Sequence, residues 1–214
     1  MKNKSLVIIC GDPKSTFNEI LIKTIKNKVL KNAKFPIVII SSKKLFENEL
    51  KKFKTKLDLE KFEKKTILSK NNIYIKDIPL DQTRLTLNKK NKYISKSFEV
   101  GLKLLKENKS FALINGPVSK TTFLRGKFKG ITEYLAFKTK SKNEVMLIFN
   151  KKLSVSPITT HIPINQVAQK IKKQIIINKI MNIDKFYKKF LGIKPEIAVT
   201  GLNPHCETFL GKNI

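Results

Sequence analysis

Short runs of β-branched and apolar residues alternate along this chain with longer stretches of helical periodicity, which restricts it to an α/β layered fold. Leu6 to Cys10, Phe35 to Ser41, Ile73 to Ile75 and Phe111 to Ile114 read as strands. Between them the spacing predicts helices over about Glu19 to Leu30 and Ser95 to Glu107, the latter with Phe98, Leu102 and Leu105 in register. Lys43 to Lys65 is a helical or irregular segment with a solvated lysine face. Thr132 opens a helix toward Lys138, and Val145 to Phe149 with Leu153 to Ile158 reads as a hairpin or neighbouring strands. Asn165 to Ile180 follows as a helix with Val167, Ile171 and Ile175 on one face. Gly192 and Pro195 stop the helical region, and Ile197 to Leu202 is the last expected strand.

With 214 residues the chain can bury a substantial core as one large domain or two small ones. Its 45 Lys+Arg against 16 Asp+Glu give a formal net charge of +29, which raises nucleic acid and anionic membranes as partners. Only Arg84 and Arg125 are arginines, however, and the lysines are scattered through every segment. Arginine is the residue of bidentate phosphate and guanine contacts, so no specific nucleic-acid partner is expected. No stretch approaches the ~18 apolar residues of a membrane span, and no secretory pattern precedes Cys10 and Cys206. A soluble, cytoplasmic protein with reduced thiols is expected.

The residues that suggest chemistry sit after the strands. The two histidines, His161 in Thr159-Thr160-His161-Ile162-Pro163 and His205 in Gly201-Leu202-Asn203-Pro204-His205, each follow an expected strand. Ligands gather at such carboxyl edges, and imidazole suits zinc and other divalent ions, although a catalytic metal usually takes three protein ligands. Gly11-Asp12-Pro13 and Gly116-Pro117 also follow strands, where glycine allows either a tight turn or the close approach of a ligand. Asp12 and Glu19 are candidates to orient that ligand. Ser119-Lys120-Thr121-Thr122 offers hydroxyls and an ammonium to a phosphate or carboxylate, and Thr132-Glu133 opens a helix whose N–H groups favour an anion.

Taken in order, these segments resemble the 4-hydroxythreonine-4-phosphate dehydrogenase family of pyridoxal phosphate biosynthesis. Gly11-Asp12-Pro13 with Glu19 is similar to the family's first loop, and Ile114 to Lys120 to its Thr-Gly-Pro-Ile-Ser-Lys segment. Gly130-Ile131-Thr132-Glu133 is similar to its Gly-His-Thr-Glu segment, and the stretches around His161 and His205 match its two internal histidine motifs. The resemblance implies the two-lobed architecture of isocitrate and isopropylmalate dehydrogenases, here with residues 1–110 as an incomplete first lobe and 111–214 as a central lobe carrying both histidines. It implies NAD or NADP, a divalent metal (zinc, magnesium or cobalt), a homodimer and a phosphorylated hydroxy-amino-acid substrate. His161 and His205 would be metal ligands, Thr132 a substrate contact, and Asp12 and Lys120 substrate or structural loop residues. The similarity covers essentially this chain but only the leading part of a typical family member. The chain is therefore expected to be truncated, with the third histidine and the phosphate-binding residues beyond Ile214. Ile131 stands where the family has histidine, which keeps a phosphorylated sugar acid such as threonate or erythronate 4-phosphate as an alternative substrate. A non-catalytic remnant or basic binding module is the alternative outside enzymes.

Overall fold

The computed structural model describes residues 4–27, 30, 33–141 and 144–202. It divides into two units, residues 1–131 and 132–214. In the first, β1 (Ser5–Ile9), β2 (Ile37–Ser41), β3 (Glu60–Lys61), β4 (Ile73–Asp77) and β5 (Ser110–Asn115) form one parallel sheet in the order β3-β4-β2-β1-β5. Two of the three inner strands, β1 and β2, are buried along their whole length. That is why they read as unbroken apolar runs rather than as alternating ones.

The two-residue period of a strand sends alternate side chains to opposite faces. Leu6 and Ile8 of β1 join Ile37 and Ile39 of β2 and Ile73 and Ile75 of β4 on one face. Covering it are Leu21, Ile22 and Ile25 of α1 (Phe17–Lys26) and Phe46 and Leu50 of α2 (Lys43–Lys52). On the other face lies α3 (Leu87–Lys106), whose Gly101 backbone comes close to Ile9 and Leu113. Each fully buried Ile or Phe of these layers contributes about 1.5–3 kcal/mol. Two helices start on side-chain caps. Ser42 Oγ accepts from Leu45 N and Thr86 Oγ1 accepts from Lys89 N.

Beyond the sheet, several expectations are corrected. β5 hydrogen bonds to β1, so residues 111–131 belong with the first unit and the division falls after Ile131 rather than after residue 110. The expected helix over Asn165 to Ile180 is broken. A 3-10 turn (Ile164–Gln166) and α5 (Val167–Lys170) end at an extended Ile171, and α6 (Lys173–Phe186) begins anew before a π-helical stretch, Tyr187–Leu191. No residue of these helices is buried, and an apolar stripe that buries nothing gives a helix little reason to stay continuous through β-branched residues. Ahead of them α4 (Ile131–Thr139) runs as the sequence predicts.

The hairpin expected near residues 145–158 reduces to one antiparallel bridge, Ile148 with Val155. Residues 197–202 form no strand. Large apolar side chains stay exposed in this second unit, among them Ile148, Leu153, Ile164, Val199 and Leu202. Among the described residues no helix is long and apolar enough to cross a membrane.

Candidate functional site

The strand order decides where a ligand can enter. From β1 the chain moves outward through β2 to β4, then returns through α3 to place β5 on the other side of β1. The switch in direction therefore lies between β1 and β5, and in open parallel sheets the crevice at the carboxyl end of that pair is the usual binding place. The loops leaving these two strands are the ones the sequence marks, Gly11-Asp12-Pro13 and the longer loop that opens with Gly116-Pro117 and runs through Thr122 and Phe123 to Gly130.

The structure brings these loops into direct backbone contact. Gly116 N donates to Ile9 O at 2.7 Å, and Asp12 N donates to Pro117 O at 2.9 Å. Gly11 has φ +74°, and a β-carbon there would lie 2.5 Å from Pro117 O. Both glycines thus permit the close approach of the two loops.

Several polar groups around this contact are paired. Asp12 Oδ1 accepts from Lys14 N at 3.0 Å and Oδ2 accepts from Lys90 Nζ at 2.8 Å. Ser119 Oγ accepts from Thr122 N at 3.1 Å and shares a hydrogen bond with Thr121 Oγ1. Asn91 Nδ2 donates to Thr122 O at 2.8 Å. Lys120 is exposed on the second loop. Glu19 pairs with Lys23 on the surface of α1 at 2.6 Å, and that hydrogen bond holds its carboxyl below the usual range. It is an i,i+4 pair rather than a ligand-orienting group. A cavity of about 190 Å³ opens beside the loops, lined by Lys14, Leu85, Thr86, Leu87 and Lys90.

Beneath the loops lies a buried polar cluster that sequence reasoning missed. Tyr93 Oη accepts from Ser42 N at 3.1 Å and sits 3.4 Å from Ser41 Oγ. Burial pushes the Cys10 thiol up to about 12, with a hydrogen bond to Ser41 opposing it. Burial likewise pushes the Tyr93 hydroxyl up to about 12, again with Ser41 opposing. Both groups stay neutral in the fold after the unfolded chain has begun to ionise them, near their ordinary values of 9.0 and 10.0. The folded state then holds more protons than the unfolded one, so stability is fully present below about pH 9 and declines as pH rises from there toward 12. The decline should approach about 1.4 kcal/mol per pH unit for each such group. Urea midpoints measured on either side of pH 9 should show it, and Tyr93→Phe with Cys10→Ala should flatten it. An unchanged slope in that double variant would remove these groups as the cause.

The remaining candidates lie in the second unit. Thr132 is half-buried at the second position of α4, and Glu133 beside it has a buried Oε2 with no hydrogen-bond partner among the described residues. His161 is exposed with φ +53° and follows a bend rather than the expected strand, while His205 lies outside the described residues. Among the described residues no three His, Cys, Asp or Glu side chains cluster closely enough to hold a metal ion.

Comparison with known proteins relates the chain to a family. A sequence model of the family described as "Pyridoxal phosphate biosynthetic protein PdxA" matches residues 32–213. The 4-hydroxythreonine-4-phosphate dehydrogenase of Sulfurihydrogenibium sp. is 35% identical over 207 residues, covering 94% of this chain and 63% of that protein. The D-threonate 4-phosphate dehydrogenase of Salmonella typhimurium is 26% identical, covering 96% of this chain and 65% of that protein. The crystal structure of 4-hydroxythreonine-4-phosphate dehydrogenase from Klebsiella pneumoniae superposes with a TM-score of 0.79 at 25% identity, covering 95% of this chain and 65% of that one. The chain thus spans less than two thirds of the length of the proteins it matches.

Proposed function

This chain belongs to the PdxA family of pyridoxal phosphate biosynthetic proteins, and from that premise we propose that it serves the oxidation of 4-phosphooxy-threonine. NAD or NADP, when bound, would supply the hydride acceptor, so that loss of a hydride and a proton from the secondary alcohol would leave 2-amino-3-oxo-4-phosphooxybutyrate. That β-keto acid then loses carbon dioxide. One observation carries the reading: the chain is 35% identical over 94% of its length to an enzyme named for this substrate. The placement of the two glycine loops at the β1/β5 switch supports it.

The proposal includes the two-lobed isocitrate dehydrogenase-like architecture, a homodimer in the cytoplasm and a bound divalent metal (zinc, magnesium or cobalt). His161 would be one ligand and His205 another. A metal chelated by substrate would favour the alkoxide that precedes hydride loss. The described residues contribute only His161 to such a centre, so the protein's part is confined to what its loops do. They place backbone and hydroxyl groups at one sheet edge, with Thr132 proposed to contact substrate and Lys120 to attract its phosphate.

Ile131 beside Thr132 and the threonate-phosphate relative favour one second reading, oxidation of D-threonate 4-phosphate. Both substrates should be offered to the protein with NAD or NADP and each metal while reduced nicotinamide is followed by absorbance. Reduction with 4-phosphooxy-threonine, abolished by a chelator, is the expected result. Faster reduction with the sugar acid selects the second reading, and none with either rejects both.

A further inference from the structure

We propose that Lys90 and Asn91, consecutive residues near the start of α3, are positioning residues that fix the separation of the two loops. The proposal deepens the functional reading above and rests on it for the substrate arm of the test. Adjacent residues on a helix diverge by roughly 100°, so neighbouring side chains can reach different partners. Lys90 reaches the first loop through Asp12 Oδ2 at 2.8 Å, and Asn91 reaches the second through Thr122 O at 2.8 Å.

This ion pair differs from the others on the surface. The Lys90 and Asp12 side chains are only 17% and 15% exposed, whereas the remaining lysine and carboxylate pairs among the described residues have at least one partner exposed beyond 40%. A pair withdrawn from water this far leaves an uncompensated charge when one partner is removed, which an exposed pair does not. Asp12 is also the point where the loops join. Its N–H donates to Pro117 O, its backbone O accepts from Ser15 N at 3.0 Å, and Oδ1 accepts from Lys14 N. Pulling on Asp12 therefore moves both loops.

The helix that carries the clamp is itself anchored. Tyr93, Ile94 and Phe98 are buried one and two turns further on, and the Phe98 ring stacks on Phe123 of the second loop at 6.2 Å. Asn91 Oδ1 and Thr122 Oγ1 are both buried with no hydrogen-bond partner among the described residues, so the second prong has polar capacity left over. The device acts through Asp12 and the Thr122 carbonyl, and displacement of a binding loop by about 1 Å costs on the order of a hundredfold in rate.

The test uses the full chain with Lys90→Met, Asn91→Ala and the conservative Lys90→Arg. Hydrogen exchange of segments 11–16 and 116–123 is read alongside the dissociation constant for 4-phosphooxy-threonine. Lys90→Met should speed exchange about tenfold in both segments, although Lys90 contacts only the first. It should also weaken binding about tenfold, with Lys90→Arg restoring both readouts. Asn91→Ala should act on the second segment even if Lys90→Met folds poorly. Exchange that changes only in segment 11–16, or equal weakening by Met and Arg, would overturn the proposal. If the native chain binds no 4-phosphooxy-threonine, the functional reading fails, and the exchange measurements decide the clamp by themselves.

Discussion

Gly116→Ala should destabilise the first unit by about 3–5 kcal/mol, because the added methyl has nowhere to go. Its β-carbon would stand 2.3 Å from Cys10 O and 2.7 Å from Phe17 Cδ1. The phenyl ring can swing, but the Cys10 carbonyl cannot, since Cys10 N is bonded to Ile40 O and Gly116 N to Ile9 O on either side of it. Two other glycines separate steric from conformational cost. Gly126 has φ +66° with nothing within 4 Å of the β-carbon position, so alanine there should cost only about 1 kcal/mol. Gly11 combines both penalties, with φ +74° and a β-carbon 2.5 Å from Pro117 O. The urea midpoint of Gly126→Ala should lie well above those of the other two variants. A Gly116→Ala midpoint equal to that of Gly126→Ala would show that the loops separate easily and that the contact described here is not a structural constraint.

Phe98→Ala is the second large effect expected, at about 3–5 kcal/mol. The ring is fully buried on the face of α3 turned to the sheet, and it stacks against Phe123 with planes 20° apart. Its removal leaves a cavity beneath the second loop as well as in the core. Phe123 should therefore gain mobility visible in its aromatic NMR signals, while Phe98→Leu should retain most of the stability. A loss of stability with Phe123 signals unchanged would confine Phe98 to a packing role remote from the loop.

The parts of this fold legible from sequence are those whose burial leaves a local mark. β1 and β2 sit between covered faces, so Leu6 to Cys10 and Phe35 to Ser41 show unbroken apolar runs. The Gly11 and Gly116 loops were visible for the same reason, since each follows such a run directly. What long-range contact alone decides was not visible. The first two turns of α3 are hidden by the polar stretch Asn88-Lys89-Lys90-Asn91-Lys92, and the one available signal was Thr86, a capping residue three positions before Lys89. Lys90 meets Asp12 across 78 residues, a spacing with no signature in either segment.

The second unit misled for the opposite reason. Ile197 to Leu202 and the stripe Val167, Ile171, Ile175 have the composition of a strand and a helix, but apolar periodicity becomes structure only where another surface receives it. Family resemblance reached what local physics did not, because the ordered motifs identified the family without requiring any single one of them to be diagnostic.

The pairing of β1 with β5 also sets an order of events during synthesis. Ser5 finds its partner at Ser110, so the first strand of this sheet to be made waits for the last. Until Asn115 has emerged, β1 is the border of a sheet rather than its interior, a strand apolar from Leu6 to Ile9 with one row of backbone groups open to any neighbouring nascent chain. Closing the sheet and joining the two loops both wait for β5, so the interval before it leaves β1 open to association with copies of this chain.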